Sequence, residues 1–212
     1  MQQLSGQDAM FLHAEIDGLP QHIGGVSIYD QSTAPGGKVR FKQILAMLES
    51  RLHLSPIFRR KLAFVPYGLG RPYWLEDPDF DLEYHVRHIA LPKPGDWRQL
   101  CILAARIHSV PLRRDKPMWE MYVIEGLNNV EGYPEGCFAL LLKVHHCAMD
   151  GATGTHIMNI VHDLTPETTD PGTPPPWIVE RPSRARMLWL AYLDAWRKPG
   201  QALYFVNEYI PA

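Results

Sequence analysis

Apolar residues recur at helical spacing in three stretches of the chain. Phe41, Ile44, Leu45, Leu48 and Leu52 fall on one side of a helix from Phe41 to Leu52, which leaves Lys42, Gln43 and Glu49 outward. A second helix begins at Asp96, where Asp96 and Gln99 make a capping-box pair at i and i+3. Its buried stripe is Leu100, Leu103, Ala104 and Ile107, and Pro111 ends it. A third helix runs from Gly151 or Ala152 to Leu164, with Ile157, Ile160, Val161 and Leu164 inward. Strand-like runs lie between. His22 to Tyr29 puts Val26 and Ile28 on one face, and Trp119 to Ile124 is aromatic and β-branched and ends at Glu125-Gly126. Phe138 to Val144 is nearly all apolar, as in a strand covered on both faces. Strands interleaved with helices predict an α/β domain, although strand order does not follow from the pattern.

The pattern breaks at Thr165. TPETTDPGTPPP, Thr165 to Pro176, holds no core-forming residue, and its prolines predict an extended connector. Helical spacing returns over Arg184 to Lys198. The expected organisation is a domain over 1–164, a Pro-rich linker over 165–180 and a helical segment over 181–212 that leads into something further. Composition narrows the class. With 46% hydrophobic and 21% charged residues the 212-residue chain is globular rather than disordered. Its 21 basic and 23 acidic side chains argue against nucleic acid as the partner. The cysteines, Cys101, Cys137 and Cys147, are odd in number and lack C-x-x-C spacing, so neither a disulfide scaffold nor a zinc ribbon fits. No signal-like start and no membrane-length apolar run is present, and the expected compartment is the cytoplasm. There is no G-x-G-x-x-G and no P-loop to suggest a nucleotide enzyme.

The chemistry concentrates in Lys143-Val144-His145-His146-Cys147-Ala148-Met149-Asp150-Gly151, where a buried strand gives way to a helix. A histidine there can take a proton from a hydroxyl near neutral pH, its ordinary pKa being about 6.5. On extended chain His145 and His146 point to opposite faces, so they cannot both be the base, and one is structural. Plainer readings compete. Both histidines can be structural, and Asp150-Gly151 can be an N-cap and turn. A metal held by His145, His146 and Asp150 is strained by the opposed faces, so no metal is expected. Cys147 as a nucleophile would face away from His146.

These residues carry a resemblance. His145-His146-x-x-x-Asp150-Gly151 resembles the HHxxxDG motif of the bacterial wax ester synthase/diacylglycerol acyltransferase family, among the HxxxD coenzyme-A-dependent acyltransferases. Leu4-Ser5, Asp8, Phe11-Leu12 and Glu15 resemble its opening segment. Gly68 to Pro72 with Trp74, then Asp77-Pro78, Phe80-Asp81 and Tyr84-His85-Val86, resemble the next block. Pro111-Leu112, Arg114 and Pro117 to Glu120 resemble the PLDRxRPLWE block, with Arg113 in place of its Asp and Lys116 in place of its Arg. The likeness runs from residue 4 to about 165 in matching order.

The resemblance implies the N-terminal domain of the two-domain acyltransferase fold, a mixed sheet with packed helices. It implies an O-acyltransferase of lipid biosynthesis that esterifies a long-chain fatty alcohol or a diacylglycerol with fatty acyl-CoA, releasing CoA and giving wax ester or triacylglycerol. His146 would be the general base. Asp150 would be structural, paired with an arginine for which Arg114 is the candidate, and Gly151 and Gly154 would let backbone approach closely. Acyl-CoA enters as substrate, and no bound cofactor is implied. The family's members are longer and its second-half motif, NDVVL, is absent here, so the C-terminal half of the same enzyme is an implied partner. Two other classes stay open: a non-catalytic binding or scaffold relative, and a condensation-type domain using carrier-bound substrates. The stretch 181–198 carries five basic and one acidic side chain with Trp189, Tyr192 and Trp196, which suits peripheral contact with a membrane or lipid droplet.

Overall fold

The computed structural model describes residues 1–149, 157–163, 165 and 167–197. The apolar run before the histidine pair is the strand around which it is built. This strand, β7 (Cys137–His145), lies between β2 (His22–Tyr29) and β6 (Trp119–Leu127), and β5 (Val86–Ala90) completes a four-stranded sheet in the order β2-β7-β6-β5. β7 is antiparallel to both neighbours, and β5 runs parallel to β6, so the sheet is mixed. His22 pairs with His145, and Glu120 pairs with Lys143. A smaller sheet, order β1-β4-β3, joins β1 (Gln2–Gln3), β4 (Tyr73–Glu76) and β3 (Arg60–Ala63).

Period-two alternation gives the large sheet two different faces. Val144 and Phe138 of β7 and Trp119, Met121 and Val123 of β6 pack with Ile44 and Leu48 of helix α2 (Phe41–Arg51) and with Ile157, Ile160 and Val161 of the helical residues 157–161. Ala139 and Leu141 of β7 and Tyr122 and Ile124 of β6 pack with Leu100 and Ile107 of the amphipathic helix α4 (Trp97–Ser109). Asp96 caps α4 as its spacing predicts, accepting from the Gln99 N–H, while Gln99 Oε1 accepts from the Asp96 N–H. The chain leaves α4 just before Pro111, which cannot follow helical backbone.

Several boundaries move by a residue or more. α2 ends at Arg51, and Leu52–Leu54 tighten into a 3₁₀ turn. β6 continues past Glu125-Gly126 to Leu127 because Gly126, at φ 88°, takes up a bulge between Ile124 and Leu127. The third expected helix, α5, is described over 157–161; its beginning and Leu164 lie outside the described residues. Residues 167–183 carry neither helix nor strand, yet they fold back on the domain: the Arg59 guanidinium lies over Trp177, and His53 Nε2 hydrogen-bonds the Pro171 carbonyl at 2.9 Å. The last helix, α6 (Arg184–Arg197), buries Met187 and Ala191 against Val65 and Tyr73. Two short helices carry no strong apolar stripe, α1 (Gly6–Ala14), capped by Ser5, and α3 (Leu82–His85).

Candidate functional site

β7 delivers the histidine pair to the end of the sheet, where its ladder stops. His145 is its last residue, and its N–H donates to the Met118 carbonyl at 2.9 Å. His146 opens a 3₁₀ turn, His146–Ala148, and its N–H donates to the Gln21 carbonyl at 2.9 Å. Both backbones are therefore pinned by neighbouring segments rather than by the sheet alone. α1 then packs across the turn through Ala9 and Leu12, with Leu4 just before the helix, against Cys147.

The two imidazoles have different surroundings. His145 is sealed, with 0% of its side chain exposed. Its Nδ1 accepts from the Cys147 N–H at 3.0 Å, so the ring hydrogen sits on Nε2. Nε2 lies 3.7 Å from Glu15 Oε1. Burial drives the His145 pKa down to about 4, against the pull of the Glu15 carboxylate, so the ring is neutral at physiological pH. His146 is half-buried, its ring stacked on Phe11 at 4.3 Å between centroids. A cleft of about 320 Å³ opens beside the turn, lined by Asp8, Ile57, Arg60, Trp74 and Cys147 to Met149. Met149 also walls an apolar pocket of about 300 Å³ with Ile23, Leu142, Val144 and Met158.

Behind His145 lies a polar layer, buried except for the partly exposed Arg114, that the hydrophobic pattern does not announce. Arg114 donates from Nε and Nη2 to Glu15 Oε2 at 3.1 and 2.7 Å, and from Nη2 to the Leu12 carbonyl at 3.0 Å. Lys143, 0% exposed, donates from Nζ to the Ile107 and Val110 carbonyls at 3.1 and 2.8 Å and lies 3.3 Å from Glu120 Oε2. The Tyr122 hydroxyl donates to the same Glu120 oxygen at 2.8 Å. Burial lowers the Lys143 pKa and raises that of Tyr122. His22 Nε2 hydrogen-bonds the His108 carbonyl, and burial lowers its pKa. Lys143 thus ties the strand before the motif to the C-terminal end of α4, whose last carbonyls it satisfies. A lysine inside an otherwise apolar strand, with a glutamate in the PMWE block, is the signal that could have located this layer.

The structure brings together His145, His146, Glu15 and Arg114 from the motif, α1's end and the loop before β6. Asp150, Gly151 and Gly154 lie outside the described residues. The described partners of Arg114 are Glu15 and Leu12. Burial pushes the Cys147 thiol well up, away from a thiolate. Among the described residues no group of three or more His, Cys, Asp or Glu could hold a metal ion.

Comparison with known proteins places the chain. The family described as wax ester synthase/diacylglycerol acyltransferase catalytic domain matches residues 4–207. A Mycobacterium tuberculosis protein named "Probable diacyglycerol O-acyltransferase tgs3" is 36% identical over 207 residues, which cover 97% of this chain and 72% of that one. Another M. tuberculosis relative is 38% identical over 171 residues, 81% of this chain and 33% of its own. The chain thus spans about a third of the length of several longer relatives. Among solved structures, the wax ester synthase/diacylglycerol acyltransferase from Marinobacter aquaeolei VT8 superposes with a TM-score of 0.58 at 33% identity, over 74% of this chain and 37% of that one. The first condensation domain of the calcium-dependent antibiotic synthetase shares the fold at 14% identity, TM-score 0.58, over 76% of this chain and 36% of that one. By family match and by fold, this chain belongs to the wax ester synthase/diacylglycerol acyltransferase catalytic domain family.

Proposed function

We propose that this chain forms part of an O-acyltransferase that moves a fatty acyl group from coenzyme A to the hydroxyl of a long-chain alcohol or a diacylglycerol. The observation that carries the reading is the division of labour at the motif: His145 is sealed and neutral, while His146, one residue on, is half-buried on a turn whose next residues, Cys147 to Met149, line a cleft. His146 takes the hydroxyl proton as the alcohol oxygen attacks the thioester carbonyl carbon. The carbon–sulfur bond breaks, the imidazolium returns the proton to the departing thiolate, and the products are ester and free coenzyme A. Such general-base assistance contributes roughly 10²–10⁴-fold. The apolar pocket that shares Met149 with the cleft suits an alkyl chain. The C-terminal half of the enzyme supplies the opposite wall. Asp150 is a structural residue of the motif.

The test is coenzyme A release from palmitoyl-CoA by the full-length protein, with hexadecanol or a diacylglycerol as acceptor. Turnover with either, lost in a folded His146→Ala variant, supports the reading. Turnover only with carrier-bound acyl groups favours condensation chemistry, and a folded protein inactive with every acceptor favours a binding relative. Peripheral lipid contact belongs to the same proposal. Trp189, Tyr192 and Trp196 form an exposed stripe on α6, Trp196 being 72% exposed. Among the described residues no helix is long and apolar enough to cross a membrane. Co-sedimentation with anionic vesicles that is lost in Trp189→Ser/Trp196→Ser would support that contact; equal binding by parent and variant removes α6 from it.

A further inference from the structure

The sealed histidine has two ring nitrogens to account for. Nδ1 is occupied by the Cys147 N–H, which leaves the hydrogen on Nε2. Among the described residues that Nε2 and Glu15 Oε1 are both buried without a hydrogen-bond partner, and they face each other at 3.7 Å. A buried polar atom left without a partner is costly, so two such atoms turned toward one another form a pair rather than two accidents. Glu15 is not free to swing away. Its other oxygen is held by two donors of Arg114, which is itself fixed on the Leu12 carbonyl at the end of α1. Glu15 also sits just past α1, whose C-cap it is, so its backbone is set by that helix.

We propose that Glu15, held by Arg114, is a positioning residue: its carboxylate keeps the hydrogen of His145 on Nε2, so that Nδ1 accepts the Cys147 N–H and fixes the turn that presents His146. The inference rests on the reading of His146 as the base. The chain of contacts is short. Glu15 selects the tautomer, the tautomer supplies an acceptor at Nδ1, and that acceptor stops the Cys147 N–H from being lost inside the protein. With the hydrogen on Nδ1 instead, two donors would meet, and the His146–Ala148 turn would have to open. The charged and titratable groups around the ring are Glu15, Arg114, His22 and His146. Burial disfavours protonation there, so the ring acts as a neutral donor and acceptor rather than as a charge.

The experiment is nitrogen NMR of ¹⁵N-histidine-labelled full-length protein, with His145 assigned by its loss in His145→Gln, alongside steady-state acyl transfer. The parent is expected to carry the His145 hydrogen on Nε2 from pH 8 to pH 5.5. Glu15→Leu should lose that tautomer preference and lower kcat about tenfold or more, with KM for acyl-CoA within about twofold. Glu15→Gln has one acceptor oxygen for two donor groups, Arg114 and the His145 ring, and should lie between the parent and Glu15→Leu in both readouts. If Glu15→Leu fails to fold, Glu15→Asp withdraws the oxygen by one methylene and is read the same way. The proposal is overturned by a variant lacking the oxygen that keeps both tautomer and kcat, or by loss of kcat with the tautomer intact. Failure of the base assignment shows differently, as a parent without turnover or a fully active His146→Ala, while the NMR still reads the Glu15 contact.

Discussion

The two faces of the central sheet meet the end of β7 in opposite ways. On the face toward α2 and residues 157–161, apolar packing continues to the last turn, with Val144 against Ile157 and its neighbours. On the face toward α4, packing is apolar through Leu141 and then turns polar, with Lys143, Glu120, His22 and His145 buried. Apolar contacts set how far apart two elements lie, but they are non-directional. Hydrogen bonds and ion pairs fix orientation and register. The polar face therefore aims the strand end, and the apolar face supplies most of the cohesion. The histidine on the polar face is frozen, and the next residue, past the strand, is the one left open.

The sharpest way to break this comparison is to exchange the fates of the two histidines. His146→Ala in the full-length protein should lower kcat for acyl transfer by about 10²–10⁴-fold with little change in melting temperature. His145→Ala should act in the other order, lowering stability and soluble yield first. Equal selective loss of kcat in both, with unchanged melting, would show that burial does not separate their roles.

The buried lysine gives the next largest effect. Lys143→Met leaves the Glu120 carboxylate in the polar layer without its ammonium, and removing one partner of a buried pair typically costs about 3–5 kcal/mol. Glu120→Gln should be milder, because the amide still accepts from Lys143 and Tyr122. The double variant Lys143→Met/Glu120→Leu should regain much of the loss. Urea melts of the parent, Lys143→Met, Glu120→Leu and the double variant measure the coupling, and additive single effects would mean that the two residues do not act as a pair.

Some of this was legible in the residues, and the rest was not for physical reasons. β2, β6, β7, α2 and α4 follow from spacing, because their apolar positions are dense enough to fix a period. The Asp96–Gln99 cap was readable because a cap is local. α1 escaped because only Ala9 and Leu12 of its nine residues are buried, too few to mark a stripe. The parallel pairing of β5 with β6 is a long-range choice that no local pattern encodes. At the site, strand alternation predicts opposite faces for His145 and His146, but His146 lies past the strand on the 3₁₀ turn, so their different surroundings come from where the ladder ends. The Glu15 contact is not legible in the sequence, because it joins residues 130 apart through a loop turn; only the family resemblance marks Glu15. Lys143 was read as part of the motif, and its partner on β6 depends on register.

A smaller effect comes from the neutrality of His145. Its folded pKa, about 4, lies below the unfolded value near 6.5. Between those values the unfolded chain binds a proton that the native state refuses, so stability falls as pH drops from about 6.5 toward 4. The share due to this residue between pH 7.5 and 5 is roughly 2 kcal/mol. Urea melts at the two pH values should show it in the parent and lose it in His145→Gln. An unchanged pH dependence in that variant would place the acid sensitivity elsewhere.

The smallest effect is at the far end of α4. That helix is held at its C-terminal end by Lys143, through the Ile107 and Val110 carbonyls, and at its N-terminal end by Asp96. If the polar face orients the site, only the first of these anchors should matter to chemistry. Asp96→Ala removes the acceptor for the Gln99 N–H and should cost about 1 kcal/mol, the usual loss for a cap. Helix fraying there is local, about three turns from the carbonyls that Lys143 holds. kcat and KM should therefore stay at parental values while the melting temperature drops by a few degrees. The comparison sharpens when the same measurements are made on Lys143→Met, in which the other end of the same helix is released. A kcat that falls in Lys143→Met beyond what its unfolded fraction explains, beside an unmoved kcat in Asp96→Ala, would locate the orienting contact at the strand end. A kcat that falls equally in both would mean that α4 acts on the site as a rigid rod, and that its anchoring residue is of no special consequence.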